Sequence, residues 1–288
     1  MFNDPDINDD EWDIILRPRS KWFSINLKTL WLYRDLIWMF FQRDFVTLYK
    51  QTILGPLWYL IQPVLTALTY FVVFGKIANL STDGLPPFVF YMSGIVMWSY
   101  FAACLTNNAE VFSKNAQLFG KVYFPRLVVP LSVALSGMVA FGIQFVLLLA
   151  VSSVSAIGSS DLHVNWAAIL WVPVLALYTA GAGVGVGLIV SALTVRFRDL
   201  AFAVGFVTQL WMFATPVVYP FSKIPQSYQI LFHLNPMTAP IESLRALLYG
   251  TPGVDTSLWF SNLAITSVFL LVGLILFTRS ESNAMDTV

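Results

Sequence analysis

Charge is scarce in this sequence. Of its 288 residues 11% are charged and 57% are hydrophobic, where a soluble domain carries about 25% charged residues. A soluble fold cannot hide that much apolar surface, so the bilayer has to be the solvent. The 16 basic and 16 acidic side chains cancel, which leaves no electrostatic footprint for nucleic acid. Cys104 is the only cysteine and excludes an internal disulfide. His163 and His233 stand far apart with no cysteine cluster beside them, so no metal site is expected. The N-terminus does not read as a secretory signal. It opens with Asp4, Asp6, Asp9, Asp10, Glu11 and Asp13, where a signal needs positive charge and then an apolar run.

Motifs for chemistry are missing too. No G-x-x-x-x-G-K-[ST] run occurs, and Gly120-Lys121 lacks both the upstream glycine and the following Ser or Thr. The apolar stretches hold almost no ionisable residue, so no Asp/His relay for ion coupling is visible. The glycine-rich run from Ala180 to Gly187 lies inside an apolar stretch with no strand before it. Its Gly181/Gly185 and Gly183/Gly187 spacings point to close helix packing, not a nucleotide loop.

What the sequence does have is six stretches long and apolar enough to cross a bilayer, at residues 57–77, 87–105, 127–154, 166–195, 200–219 and 258–277. With the N-terminus inside, only Lys76, Lys223 and Arg245 of the 16 lysines and arginines fall on the outer side. The positive-inside rule selects that orientation, with both termini cytoplasmic. The expected fold is an all-α membrane protein. Residues 1–51 form a cytoplasmic arm, and residues 52–288 a six-span domain.

Three segments do not span. Residues 27–51 are aromatic-rich but interrupted by Arg34, Asp35, Arg43 and Asp44. Lys28, Asp35 and Gln42 recur at seven-residue intervals, the pattern of an amphipathic helix in the headgroup plane. It serves as an anchor alone, or as an anchor that also docks a cytoplasmic partner. In residues 106–126, Asn107 and Glu110 have capping-box spacing and Gly120 can close a helix. A short helix over 108–119 would present Glu110, Phe112, Lys114 and Leu118, either as a plain connector or as a docking element. Residues 220–250 carry Pro220, Pro225, Pro236 and Pro240. Two short helices near 226–234 and 238–249, dipping back into the outer leaflet, would form a gate, or the segment is an ordinary folded outer loop. Irregular backbone at that depth is tolerated only against protein or water. Glu242 and Arg245 are spaced to pair.

Polar and aromatic side chains gather in two spans. Tyr59, Gln62, Thr66 and Tyr70 share a helical face beside Trp58, and the fifth span holds Gln209, Met212 and Thr215. Aromatic rings and amides of this kind suit a sugar chain, and equally suit interface belts and interhelical hydrogen bonds.

The run from Leu54 to Pro63, Leu-Gly-Pro-Leu-Trp-Tyr-Leu-Ile-Gln-Pro, resembles the polysaccharide-export permeases of the type 2 ABC transporter family. So do Lys121-Val122-Tyr123-Phe124-Pro125-Arg126, Arg196-Phe197-Arg198-Asp199 and Asn235-Pro236. The resemblance covers residues 27–277 and implies a homodimer working with two copies of a separate ATPase that binds ATP and Mg. It implies ATPase coupling at Arg34, Arg43, Asn107, Glu110, Phe112, Lys114, Leu118, Arg196 and Arg198. It implies a channel lined by Trp58, Tyr59, Gln62, Thr66, Tyr70, Gln209, Met212 and Thr215, and a gate at Pro225, Asn235, Pro236, Glu242 and Arg245. The cargo it implies is an undecaprenyl-linked O-antigen polysaccharide crossing a bacterial inner membrane. A type 2 permease for teichoic acid, capsule, lipid or drug is the alternative. A membrane-embedded glycan-processing enzyme would need paired carboxylates, but Asp83, Asp161 and Asp255 each stand alone.

Overall fold

The computed structural model describes residues 27–50, 55–122, 124–158, 162–197 and 199–283. Their regular structure is all helical, with no strand among them. Helices α1 (Leu27–Leu32) and α2 (Arg34–Lys50) precede α3 (Trp58–Tyr70), which continues as a π-helical turn over Phe71–Ile77. Then come α4 (Pro87–Ala109), α5 (Val111–Lys114), α6 (Ala116–Phe119) and α7 (Val128–Gly158). A 3-10 turn over Trp166–Trp171 leads into α8 (Val172–Thr194), followed by α9 (Leu200–Phe213), α10 (Gln226–His233), α11 (Thr238–Tyr249) and α12 (Thr256–Asn283).

Five helical segments are long and apolar enough to cross a membrane: Trp58–Ile77, Pro87–Ala109, Val128–Gly158, Trp166–Thr194 and Thr256–Ser280. The expected span at 200–219 differs. Its helix, α9, stops at Phe213 and is 14 residues long, about 21 Å at 1.5 Å per residue. Pro216 supplies no N–H to continue the ladder, and the Pro216 and Val217 carbonyls are turned to a side-chain donor instead.

Helix α4 is the axis of the bundle and is buried on nearly all sides, whereas α3 leaves most of its surface exposed. Helices α3, α7, α8, α9 and α11 all pack on α4. The glycines of α8 explain how one helix serves two neighbours. A Cβ on Gly183 would lie 2.8 Å from the Phe101 carbonyl oxygen, and one on Gly187 2.8 Å from that of Leu105, so this pair faces α4. A Cβ on Gly185 would meet the Leu270 nitrogen at 2.8 Å, and one on Gly273 the Gly185 oxygen at 2.5 Å, so the other side faces α12. The two overlapping GxxxG spacings are thus two seams, and α4, α8 and α12 form one close-packed body.

A second apolar cluster sits at one end of the bundle. Phe40 of α2, Val111 and Phe112 of α5, Phe124, Val128, Val129, Leu188 and Phe277 are buried together. Here the expected 108–119 helix is corrected. Helix α4 runs on through Asn107 to Ala109, so Asn107 caps nothing. The chain breaks at Glu110 and again at Asn115, whose Nδ2 donates to the Val111 carbonyl at 2.9 Å. Two single turns replace one helix. Gly120 does end the second.

Filling the α8–α12 seam should unfold the bundle. Gly185→Val places branched carbons against backbone, and overpacking of this kind costs about 1–3 kcal/mol or more. Gly142→Val in α7 points into open space. The melting temperature in detergent should drop for the first and stay unchanged for the second.

Candidate functional site

The residues expected to carry function separate into two ends and one side of the bundle. At one end, α2 lies against α7 and is held by Phe40, whose ring is 5.8 Å from Phe124. Trp31 and Leu32 of α1 and Trp38 and Met39 of α2 are exposed. Arg34 is exposed beside Asp35 and over the Trp31 ring. Arg43 pairs with Asp44 at 2.8 Å and lies over the Phe40 ring.

The α5–α6 turns sit beside α2 through the same apolar cluster. Glu110 and Lys114 form an ion pair at 2.6 Å on the surface. Asn107 is also exposed. Phe112 is not: it stacks on Phe277 of α12 at 4.7 Å, with the Arg126 guanidinium over its other neighbour Phe119 at 5.2 Å. Leu118 is half-buried against that cluster. The accessible part of this element is therefore Asn107, Glu110 and Lys114, while Phe112 and Leu118 root it. Arg196 is exposed over Phe197, and Arg198 lies outside the described residues.

Along one side, α3 and α9 come together. The Tyr70 hydroxyl donates to the Met212 sulfur at 3.5 Å, and the Tyr70 ring meets Phe213 at 6.5 Å. Trp58, Gln62 and Gln209 are exposed, and Tyr59, Thr66 and Tyr70 are half-buried. Met212 and Thr215 are buried within the chain. Thr215 accepts a bond from Asn235. The open part of the expected lining is thus the α3 face with Gln209. Around it Leu65, Leu68, Val72, Phe202, Phe206 and Leu210 are exposed, so the face as a whole is apolar.

The opposite end is the most ordered polar assembly in the described structure. Helices α10 and α11 have nearly the bounds expected from the proline spacing. Glu242 and Arg245 do pair, at 3.1 Å, and both are buried. Arg245 has five N–H donors, and five contacts take them up. Its Nη1 donates to the Pro216 carbonyl at 2.7 Å and to Glu242 at 3.1 Å. Its Nη2 donates to the carbonyls of Val217 at 3.0 Å and Phe90 at 3.2 Å, and its Nε to the Ser93 hydroxyl at 3.1 Å. The guanidinium stacks on Phe90 at 3.7 Å. Glu242 also accepts from the Phe221 N–H at 3.1 Å. Burial pushes the Glu242 carboxyl above the ordinary carboxylate value, and the Arg245 charge and the Phe221 N–H pull against that shift. Gly94 makes the arrangement possible, because a Cβ there would lie 2.7 Å from Arg245 Nη2.

Asn235 and Pro236 occupy the turn between α10 and α11 and are buried, while Pro225 is exposed. Asn235 Nδ2 donates to the Ala214 carbonyl and the Thr215 hydroxyl, and its Oδ1 accepts from Met237 N–H. Sequence reasoning missed Tyr178 of α8, which bonds the Pro236 carbonyl, Asn262 of α12, which bonds the helices on either side of that turn, and Ser93 of α4, which accepts from Arg245. For Asn262 the one signal is an asparagine inside an apolar span, which has to find partners although nothing local says which. No cluster of three or more His, Cys, Asp or Glu able to hold a metal occurs among the described residues.

These features define a helical, multi-pass membrane protein whose buried polar groups brace the breaks between helices. Residues 35–249 match the profile of the ABC-2 type transporter family, and the chain belongs to that family. It is a transporter's membrane subunit, not an enzyme, and permeases of this family work with an ATPase subunit. It is 29% identical over 264 residues to the O-antigen export system permease protein RfbA of Myxococcus xanthus, spanning 91% of this chain and 98% of that one. A Klebsiella pneumoniae protein of the same name is 30% identical over 247 residues, 85% of this chain and 92% of its own length. Nodulation protein J of Sinorhizobium fredii is 31% identical over 132 residues, 44% of this chain and 50% of its own.

Arg245→Met should strand Glu242 and four other acceptors. Breaking a buried pair in this way costs about 3–5 kcal/mol, so the folded yield in detergent should collapse. Gly94→Ala, which crowds Nη2 with one methyl, should lower the melting temperature by a smaller amount. Glu242→Gln keeps the acceptor for Phe221 but leaves the buried Arg245 charge uncompensated, so its effect should fall between the other two.

Proposed function

We propose that this chain is the permease half of an ATP-driven exporter of a lipid-linked polysaccharide of the O-antigen type. The observation that carries the reading is the near full-length match to two proteins named as O-antigen export permeases. The geometry is in keeping with it. Elements suited to docking an ATPase lie at one end of the α4–α8–α12 body, and a braced helix pair lies at the other.

In this reading α9 and the turn after it complete a sixth pass. Helices α10 and α11 then form a hairpin that re-enters from the outer leaflet, and α1–α2 lie in the inner headgroup plane. Both termini are cytoplasmic, in a bacterial inner membrane. The orientation gains support from Arg245: its charge is neutralised inside the protein, so of the three outer cations only Lys76 and Lys223 remain exposed. The apolar α3–α9 face, exposed on a single chain, meets a second copy. The sugar chain passes along Trp58, Tyr59, Gln62 and Gln209 between the two copies. Two ATPase subunits bind ATP and Mg and dock on Arg34, Arg43, Asn107, Glu110, Lys114, Arg196 and Arg198. Residues 1–51 belong to the docking arm and 52–288 to the transmembrane domain.

Purified alone, the chain should show no ATP hydrolysis, and co-expression with its ATPase should yield a hydrolysing complex. Robust hydrolysis by the chain alone would overturn the reading. Deletion of the chain should leave radiolabelled glycan trapped on the cytoplasmic side, and unchanged glycan export would exclude this cargo. Glu110→Lys should reduce co-purification of the ATPase while membrane insertion persists. Undiminished co-purification and export would remove α5 from the docking surface.

A further inference from the structure

The outer helix pair hangs on a residue to which the export reading assigns nothing. Asn262, in the second turn of α12, is fully buried. Its Nδ2 donates to the carbonyls of Phe232 at 3.3 Å and His233 at 2.9 Å, the last residues of α10. Its Oδ1 accepts from the Ala239 N–H at 2.9 Å, in the first turn of α11. Helix α11 has no side-chain cap of its own. One amide from a long membrane helix therefore serves both the end of α10 and the start of α11, where helices leave carbonyls and N–H groups unpaired. A carboxylate lacks the donors for this and a hydroxyl lacks the reach to both; only a carboxamide carries two N–H groups and an acceptor.

The two helices differ in what else holds them. Helix α11 is tied through Arg245 to α4 and to the turn after α9, and Ser243 accepts from the Trp259 indole of α12 at 2.9 Å. Most of its residues are buried. In α10 only Phe232 is buried, and Tyr228, Ile230 and Leu231 are exposed. The contacts of α10 with the rest of the bundle gather at its C-terminal end, where Phe232 meets Tyr219 and Phe221 and His233 meets Ser261. The turn that follows is clamped by Asn235 to the end of α9 and by the Tyr178 hydroxyl to the Pro236 carbonyl at 3.0 Å.

We propose that Asn262 is a positioning residue for export: it fixes α11 to the α4–α8–α12 body and is the pivot about which α10 alone turns when the pathway opens. The proposal rests on the export reading above. Helix α11 is then a stationary wall, and the moving part of the gate is a single two-turn helix.

The test uses the full chain assembled with its ATPase in liposomes, in a Cys104→Ser background. A spin label is placed at Tyr228→Cys on α10 or at Ala246→Cys on α11, and spectra are compared without nucleotide and with Mg-ATP and vanadate. The label on α10 should change mobility with nucleotide, and the label on α11 should not. Asn262→Ala should retain ATP hydrolysis, lose most glycan export, and make the α11 label respond to nucleotide as well. Equal responses at both positions in the protein with Asn262 intact, or none at Tyr228→Cys while export proceeds, would overturn the pivot and leave the export reading standing. Those two spectra decide the matter even if Asn262→Ala does not fold. A complex that neither assembles with an ATPase nor moves glycan would overturn the export reading, and the pivot with it.

Discussion

A chain can break its helices inside an apolar bundle only if something receives the backbone groups set free. Here that something is Arg245. Its planar fork accepts the geometry of two consecutive carbonyls after α9, one carbonyl and one hydroxyl from α4, and the carboxylate three residues before it. A lysine has three donors on a flexible stem and could not span these partners. The shortness of α9, the turn over 214–220 and the seat of α11 all depend on this one side chain. Gly94 on α4 is its counterpart, a missing methyl that lets the guanidinium reach the helix backbone.

The rest of the molecule distributes rigidity unevenly around that point. Glycine seams bring α4, α8 and α12 into backbone contact, so these helices have little freedom to slide apart. The α5–α6 turns and α2 are not joined to this body by hydrogen bonds in the main but by an apolar cluster. Phe112 lies at its centre, stacked on Phe277. Because α12 contributes to that cluster at one end and holds the α10–α11 pair at the other, the body is joined directly to both. Helices α3 and α9 have much lighter contacts and large exposed apolar faces.

Much of this was legible in the sequence, for physical reasons. The scarcity of charge dictated a membrane solvent, and proline spacing placed α10 and α11 to within a residue at their ends. The i,i+3 spacing announced the Glu242–Arg245 pair. The glycine run was readable as packing, although only the coordinates separate its two seams. The errors also have causes. Asn107 and Glu110 have capping-box spacing, but an apolar run upstream lets α4 continue past Asn107, so propagation of a formed helix prevails over starting a new one. Phe112 looks like a docking residue on a short helix and proves to be its root, because a single turn has no stability of its own. Residues 200–219 are largely apolar, and hydropathy does not see that the helix ends at Phe213, ahead of Pro216. Asn262 escaped notice because its partners lie 23 to 30 residues away in sequence and no local pattern marks them.

The internal use of Arg245 has a bearing on cargo. Residues 220–250 contain two strong cations, Arg245 and Lys223, and the first has no N–H to offer a passing ligand. In the export reading proposed above, phosphate or uronate groups on a sugar chain would find this segment largely non-adhesive, with little Coulombic drag to slow each unit as it leaves. The same segment would show weak discrimination between neutral and acidic glycans, so selection among cargoes would have to reside elsewhere.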